Sequence, residues 1–283
     1  MPEPLLIGRL QSLPNQVYSN NMKLFGSYLA FPASAGVLAD LIIRGKLLAG
    51  PVSSLDFARI LASGAKPLSD FGLYINPYMA YEKPPGSQNA AQALIHAPLV
   101  MLAKKPLEEF SRMRVGISEE ILNSEREALL LTKLLLSFYW EVEHDIRMEV
   151  SLDDDAWICQ GGPYLALRSK RFFGFPYAYD LAWEWYRWKR SPYLFYRWVL
   201  SPGLDQEIED DIVNTVRKTL ELNLRDLAQL AHHEASLKGV ERSEVLSYLH
   251  GFGHRLGLWQ SVSQGSVLGL AGLLKDSEIS AFR

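Results

Sequence analysis

The stretch Y-D-L-A-W-E-W-Y-R-W-K-R-S-P-Y-L-F-Y-R-W, residues Tyr179 to Trp198, is the most informative part of this sequence. It holds four of the chain's seven tryptophans, together with four tyrosines, a phenylalanine and four basic residues. Three kinds of structure use such a composition: a membrane-interface belt, a base-stacking platform for nucleic acid, and a packed core beside a ligand cleft. The rest of the sequence ranks these three interpretations.

The overall composition disfavours the first two. The chain has 283 residues, 48% of them hydrophobic and 22% charged, with a formal net charge of -3. A dedicated nucleic-acid binder usually carries a strong basic excess, so no nucleic-acid partner is expected. The longest apolar run, residues 128–140, is interrupted by Lys133 and is too short to cross a bilayer, so no membrane partner is expected either.

The cellular location is predicted from two features. The opening M-P-E-P-L-L-I-G-R-L lacks the basic and apolar regions of a secretory signal, and the single cysteine, Cys159, excludes an internal disulfide. Both features favour a cytoplasmic protein. Cys159 lies in a strand-like segment and is expected to be a buried, inert thiol.

Alternating strand and helix patterns along the chain predict an α/β fold. Two strand-like segments, residues 91–97 and 193–200, lie at about one third and two thirds of the chain. They are natural crossings between two lobes. We therefore predict a hinged protein with its first lobe in residues 1–92, its second in 93–195, and a helical return to the first in 196–283. Clefts between such lobes are preferred ligand sites.

Common cofactor and metal motifs are missing from the sequence. It contains no G-x-G-x-x-G, no G-x-x-x-x-G-K-[ST], no H-E-x-x-H and no G-x-S-x-G. His250 and His254 have the i, i+4 spacing of metal ligands, but glycines interrupt the predicted helix and no carboxylate completes the set. We expect no cofactor and no metal.

Polar turns that follow predicted strands are the candidate ligand contacts. They are S-L-P-N at residues 12–15, P-V-S-S at 51–54, N-S-E-R-E at 123–127 and Q-G-G at 160–162. Hydroxyls, amides and helix N-termini suit carboxylate ligands. Each turn alone is also explained as an ordinary cap, and the sharper hypothesis is that all four face one cleft.

Four stretches give the chain a family resemblance. They are I-G-R-L-Q-S-L-P-N at residues 7–15, G-K-L-L-A-G-P-V-S-S-L-D-F-A-R at 45–59, the aromatic stretch extended to 179–199, and S-Y-L-H-G-F-G-H-R-L-G at 247–257. Together they resemble the MqnA/MqnD family of the futalosine route to menaquinone, and its chorismate dehydratase branch in particular. The aspartate-rich opening S-P-D-P-D-D-A-F of the sister branch is absent.

The resemblance implies a type II periplasmic-binding-protein-like fold, two-lobed with a hinge and an interlobe cleft, used inside the cytoplasm. It also implies a lyase that eliminates water from chorismate to give 3-[(1-carboxyvinyl)oxy]benzoate, without a metal. Within this fold, Trp185 is expected to pack inward from a short helix over residues 184–188, and residues 192–199 are expected to cross back to the first lobe. The aromatic stretch is then mainly core and hinge.

The pocket departs from the family pattern at several positions. The family's loop asparagine falls on Pro14, or on Asn15 with a one-residue shift, and its hinge serine falls near Gln92. Its helix start S-S-R-T-S becomes residues 124–128, where two glutamates replace small hydroxyl donors. Carboxylates there would repel the chorismate dianion by Coulomb's law, with Arg126 compensating for one charge.

The polar turns and the family pattern together define the predicted site. Glu127 is included for its chemistry alone and does not come from the family pattern. The predicted catalytic residues are Asn15, Gln92 and Glu127. The predicted substrate-binding residues are Ser12, Ser53, Ser54, Asn89, His96, Ser124, Arg126, Gln160 and Gly161.

Two hypotheses for the function follow. The first is a cytoplasmic, cofactor-free lyase, monomeric or homodimeric, that acts on an aromatic or pre-aromatic carboxylate. The alternative is a divergent family member that binds a small molecule without turnover or uses a less anionic substrate.

Overall fold

A computed structural model describes residues 5–75, 97–117, 126–160 and 175–274. These residues form a mixed α/β structure with two sheets. The strands are β1 Leu5–Arg9, β2 Tyr28–Pro32, β3 Ala49–Ser53, β4 Lys66–Ile75, β5 Leu99–Ala103, β6 Arg112–Ile117, β7 Glu143–Arg147, β8 Ala156–Gln160, β9 Tyr177–Asp180, β10 Leu194–Leu200 and β11 Phe252–Arg255. The α-helices are α1 Ala35–Ile43, α2 Ser54–Ala62, α3 Arg126–Phe138, α4 Leu181–Lys189, α5 Gln206–Arg225, α6 Leu227–Lys238, α7 Arg242–His250 and α8 Leu258–Ala271. Short 3-10 helices cover Leu13–Tyr18, Met22–Leu24 and Leu107–Glu109.

The two sheets draw their strands from different parts of the chain. The first has the order β11-β4-β10-β3-β1-β2, and the second has the order β7-β6-β8-β5-β9. The first sheet thus uses the beginning and the end of the chain, while the second uses the middle. This arrangement gives the two lobes that the sequence predicts. The exact predicted boundaries at residues 92 and 195 stay predictions, and residue 92 lies outside the described ranges.

Strand directions decide which loops meet. In the first sheet, β1 runs parallel to β2 and β3, while β10 is antiparallel to β3 and β4. The carboxyl ends of β1 and β3 therefore share one edge of the sheet with the start of β10. Strand β10 pairs on both sides, which explains why six of its seven residues are buried.

The aromatic stretch folds largely as predicted. Asp180 caps α4, and its carboxylate accepts hydrogen bonds from the backbone N–H groups of Ala182 and Trp183. The helix is longer than predicted and runs from Leu181 to Lys189. Trp185 is completely buried, with its ring centre 5.2 Å from that of Tyr193. The inward packing of this tryptophan is thus confirmed.

The segment around Gly251 differs from its prediction as one interrupted helix. Helix α7 ends at His250, and β11 follows and pairs with the edge strand β4. A Cβ atom on Gly253 would lie 2.1 Å from the ring of Tyr74, so a larger residue here would force that ring to move. Tertiary pairing with β4 has overridden the local helical pattern, and His250 and His254 do not share a helix face.

None of the helices in the described ranges is both long and apolar enough to cross a membrane.

Candidate functional site

The predicted residues Ser54 and Glu127 meet where the two lobes join. Ser54 begins α2 directly after β3, and Glu127 lies in the first turn of α3 between strands of the second sheet. The backbone N–H of Ser54 donates a 2.8 Å hydrogen bond to Oε1 of Glu127. The hydroxyl of Tyr193 donates a 2.7 Å hydrogen bond to Oε2. We refer to Ser54, Glu127 and Tyr193 as the Glu127 network.

The start of α2 leaves the Ser54 N–H available for this contact. Ser53 is the N-cap, and its hydroxyl oxygen accepts from the backbone N–H of Asp56 and donates to the Asp56 carboxylate. The Ser54 hydroxyl donates to the carbonyl oxygen of Leu194 at 2.9 Å. The serines thus fix the helix start against β10, and the first-turn N–H points at the second lobe's carboxylate.

The Glu127 network is closed to solvent. Glu127 is 1% exposed, and Tyr193 is completely buried. Burial and the neighbouring Glu127 carboxylate raise the pKa of Tyr193 well above its usual value. The phenol therefore stays protonated and remains a donor. Tyr193 was not among the predicted site residues, because its only sequence signal was a hydroxyl-bearing aromatic ring at the start of the crossing strand.

Asn15 and Ser12 lie at the same edge of the first sheet as Ser54, because they follow β1. Asn15 is 3% exposed within the 3-10 helix Leu13–Tyr18, and its Nδ2 donates a 2.8 Å hydrogen bond to Oγ of Ser12. Its Oδ1 is buried without a hydrogen-bond partner. A buried unsatisfied acceptor costs about 1–3 kcal/mol, so this atom calls for a donor from a ligand or water.

Gln160, in the second lobe, is another buried amide with unused hydrogen-bonding capacity. It ends β8, is 3% exposed, and has no hydrogen-bond partner for either atom of its amide group. Among the described residues, no hydrogen bond joins Asn15 or Gln160 to the Glu127 network. The structure thus brings Ser54 and Glu127 together, places Asn15 at the same sheet edge, and leaves Gln160 as a separate buried amide.

Several predicted site residues cannot be placed. Gln92, Asn89, His96, Ser124 and Gly161 lie outside the described residues. Arg126 begins α3, but its side chain is likewise outside the description. Their proposed roles stay predictions.

Two other titratable groups are buried away from this network. Cys159 is 4% exposed, and burial raises the pKa of its thiol to about 12, as suits the predicted inert thiol. His254 is 6% exposed in β11, and burial lowers its pKa to about 3. Its ring packs edge-on against Tyr18 at 5.5 Å between ring centres. His254 is therefore a neutral core residue.

Residues 85–261 match the sequence profile of a family described as menaquinone biosynthesis. The chain belongs to this family. The family predicted from the four sequence stretches is thereby confirmed, and the match includes the whole aromatic stretch. A search of curated proteins finds no match to the chain.

Solved structures show the same fold in other proteins. Protein AF1704 from Archaeoglobus fulgidus superposes with a TM-score of 0.67 at 10% identity, covering 95% of this chain and 98% of that protein. The periplasmic aliphatic sulphonate-binding protein SsuA from Escherichia coli gives a TM-score of 0.55 at 13% identity, with 99% and 92% covered. The Candida albicans CA3427 product, with the generic periplasmic binding protein fold, gives 0.53 at 10% identity, with 99% and 95% covered. The predicted fold of this menaquinone biosynthesis family member is thus confirmed.

Proposed function

We propose that this family member is a cytoplasmic lyase that eliminates water from chorismate to give 3-[(1-carboxyvinyl)oxy]benzoate in the futalosine route to menaquinone. Its family assigns it to menaquinone biosynthesis, and its two lobes suit a small ligand held between them. The reaction needs no cofactor, because the ring becomes aromatic as water leaves.

The observation that carries the proposal is the pair of buried amides with unused hydrogen-bonding capacity. Asn15 follows a strand of the first sheet, Gln160 ends a strand of the second, and each is 3% exposed. Asn15 Oδ1 needs a donor, and the Gln160 amide needs both a donor and an acceptor. Chorismate offers a hydroxyl donor and carboxylate and ether acceptors, so it has groups of the required kinds.

The elimination removes a ring proton and releases the hydroxyl as water. Asn15 Oδ1 would accept a hydrogen bond from the departing hydroxyl and fix its orientation, which is a positioning contribution. Gln92, Asn89 and His96, with Ser124, Arg126 and Gly161, are the remaining proposed substrate contacts. Both carboxylate oxygens of Glu127 already accept a hydrogen bond, so an acid–base role for Glu127 would use the second lone pair of one of them.

The test is incubation of the purified protein with chorismate, followed by chromatography and mass analysis for a product lighter by one water. Asn15→Ala is expected to lower kcat/KM by about a hundredfold, the usual scale for a lost polar contact to the reacting group. Asn214→Ala, on the surface of α5, is the control with unchanged activity. The lyase proposal fails if the wild-type protein neither turns over chorismate nor gains thermal stability from it.

A second candidate is a binding protein, or an enzyme for a less anionic substrate. The observation that favours it is the buried Glu127 carboxylate beside Ser54. A second negative charge brought close to it in a low-dielectric cleft is repelled. Binding of uncharged or singly charged hydroxylated aromatics without turnover would support this candidate.

A further inference from the structure

The N-terminal turn of α2 and the hydroxyl of Tyr193 together have the chemistry of a carboxylate-binding site. One donor is a first-turn helix N–H, and the other is a phenol, with distances of 2.8 Å and 2.7 Å to the two oxygens of one carboxylate. Helix α2 has nine residues, so the partial positive charge at its N-terminus adds to the attraction. Each carboxylate oxygen has its own donor, as in charge-assisted recognition of a bound anion.

We propose that this carboxylate-binding site is filled from within the chain by Glu127, which thereby sets how much negative charge a cleft ligand can carry. The proposal deepens the proposed function and rests on it only for the identity of the ligand. Because Glu127 takes the Ser54 N–H, a ligand carboxylate cannot use it. The wild-type cleft is therefore selective for ligands that have hydroxyl groups, and no carboxylate, at this edge.

A second observation at the same edge points to a ligand there. Strands β1 and β3 are parallel neighbours, so the loop after β1 and the start of α2 lie at one edge of the first sheet. That loop carries Asn15, 3% exposed, whose Oδ1 has no hydrogen-bond partner. The atom accepts hydrogen bonds and repels carboxylate oxygens. Its chemistry thus agrees with Glu127 in favouring a hydroxyl donor.

The first experiment empties the site. Glu127→Ala removes the carboxylate and leaves the Ser54 N–H and the Tyr193 hydroxyl without it. Formate or acetate is then expected to occupy the space, and the melting temperature of the variant should rise by about 3 °C when formate reaches about ten times its Kd. Chloride at equal ionic strength should give no such rise. Glu127→Ser is made in parallel, because its hydroxyl can keep a polar contact and aid folding.

A matched control separates this site from any buried carboxylate. Glu184 also lies in the first turn of a second-lobe helix and is 8% exposed, but its partners are the side chains of Arg187 and Tyr139 rather than a backbone N–H. Glu184→Ala should show no formate dependence, and neither should the wild-type protein. The inference is overturned if neither Glu127 variant responds to formate, or if both stay unfolded in formate and chloride alike.

The second experiment measures selectivity with chorismate itself. Glu127→Ser is expected to bind chorismate about tenfold more tightly than the wild-type protein, the equivalent of one regained charge-assisted hydrogen bond. Equal or weaker binding would remove Glu127 as the determinant of ligand charge. Absence of wild-type turnover would end the lyase proposal alone, since the formate response does not depend on any substrate.

Discussion

The aromatic crossing segment, residues 179–200, and the polar edge formed by Asn15, Ser54 and Glu127 are both largely buried, but in different ways. In the aromatic segment each large ring meets another ring, as Trp185 meets Tyr193 and Trp188. At the polar edge, donors and acceptors are matched one by one, and Asn15 Oδ1 is left over. The aromatic segment stabilises the fold through its buried apolar surface. The polar edge depends instead on individual hydrogen bonds between a few atoms.

Among the variants that test this comparison, Trp185→Ala is expected to change the free energy of unfolding most. The ring is completely buried, so its removal should cost about 3–5 kcal/mol in the free energy of unfolding. Trp183→Ala, in the same helix but half-buried, should cost clearly less. Urea denaturation of both variants checks this, and equal losses would mean that the aromatic segment does not act through burial.

The second test uses pH and concerns the aromatic core beside Tyr18. The folded-state pKa of His254 is about 3, below its ordinary 6.5, so the unfolded chain binds more protons between these values. Stability is therefore fully present above pH 6.5 and falls as the pH drops towards 3, by up to about 1.4 kcal/mol per pH unit. The measurement is the free energy of unfolding at several pH values in this window.

His254→Gln should flatten that pH dependence, because the glutamine side chain does not titrate. His250→Gln, at the exposed end of α7, serves as the matched control and should leave the slope unchanged. A slope that survives in His254→Gln would assign the pH dependence to other groups.

The two regions also differ in how well the sequence predicts them. Tryptophans and prolines at fixed spacing indicate the fold, since burial tolerates small shifts of each ring and the pattern remains recognisable. The crossing strand, the short helix and the inward Trp185 could therefore be predicted. The pairing of β11 with β4 could not, because β4 lies about 180 residues away along the chain and the local pattern around Gly251 indicates a helix.

The sequence predicted candidate site residues, but not which hydrogen bonds they make. Polar turns identified Ser54, Asn15 and Glu127, because hydroxyls, amides and carboxylates after strands are recognisable from sequence. That Glu127 bonds to Ser54 depends on how the second lobe sits against the first, across 73 positions of the chain. Tyr193 was counted with the core, since an aromatic ring in a buried strand does not reveal what its hydroxyl meets.

Tyr193→Phe tests the point where the two regions overlap. The ring stays, so the aromatic packing with Trp185 is retained, while Glu127 Oε2 loses its 2.7 Å donor. Losing this hydrogen bond to a buried carboxylate should cost about 1–3 kcal/mol, measured by urea denaturation. Tyr177→Phe, an exposed tyrosine at the start of β9, should cost almost nothing. If the two variants are equally stable, the Glu127 network contributes little to folding.

Ser53→Ala is expected to have the smallest effect, and it separates the two roles of the α2 N-terminus. Ser53 caps the helix through the Asp56 N–H, so the change should cost about 1 kcal/mol in the free energy of unfolding. Ser63→Ala, at the other end of the same helix, should cost less, because its hydroxyl only donates to the Ile60 carbonyl oxygen. Loosening the helix start also displaces the Ser54 N–H, so the effects of Ser53→Ala and Glu127→Gln on the free energy of unfolding should be non-additive in a double-mutant cycle. Strict additivity of the two changes would show that the cap and the carboxylate contact are independent, and that the polar edge is a set of separate contacts.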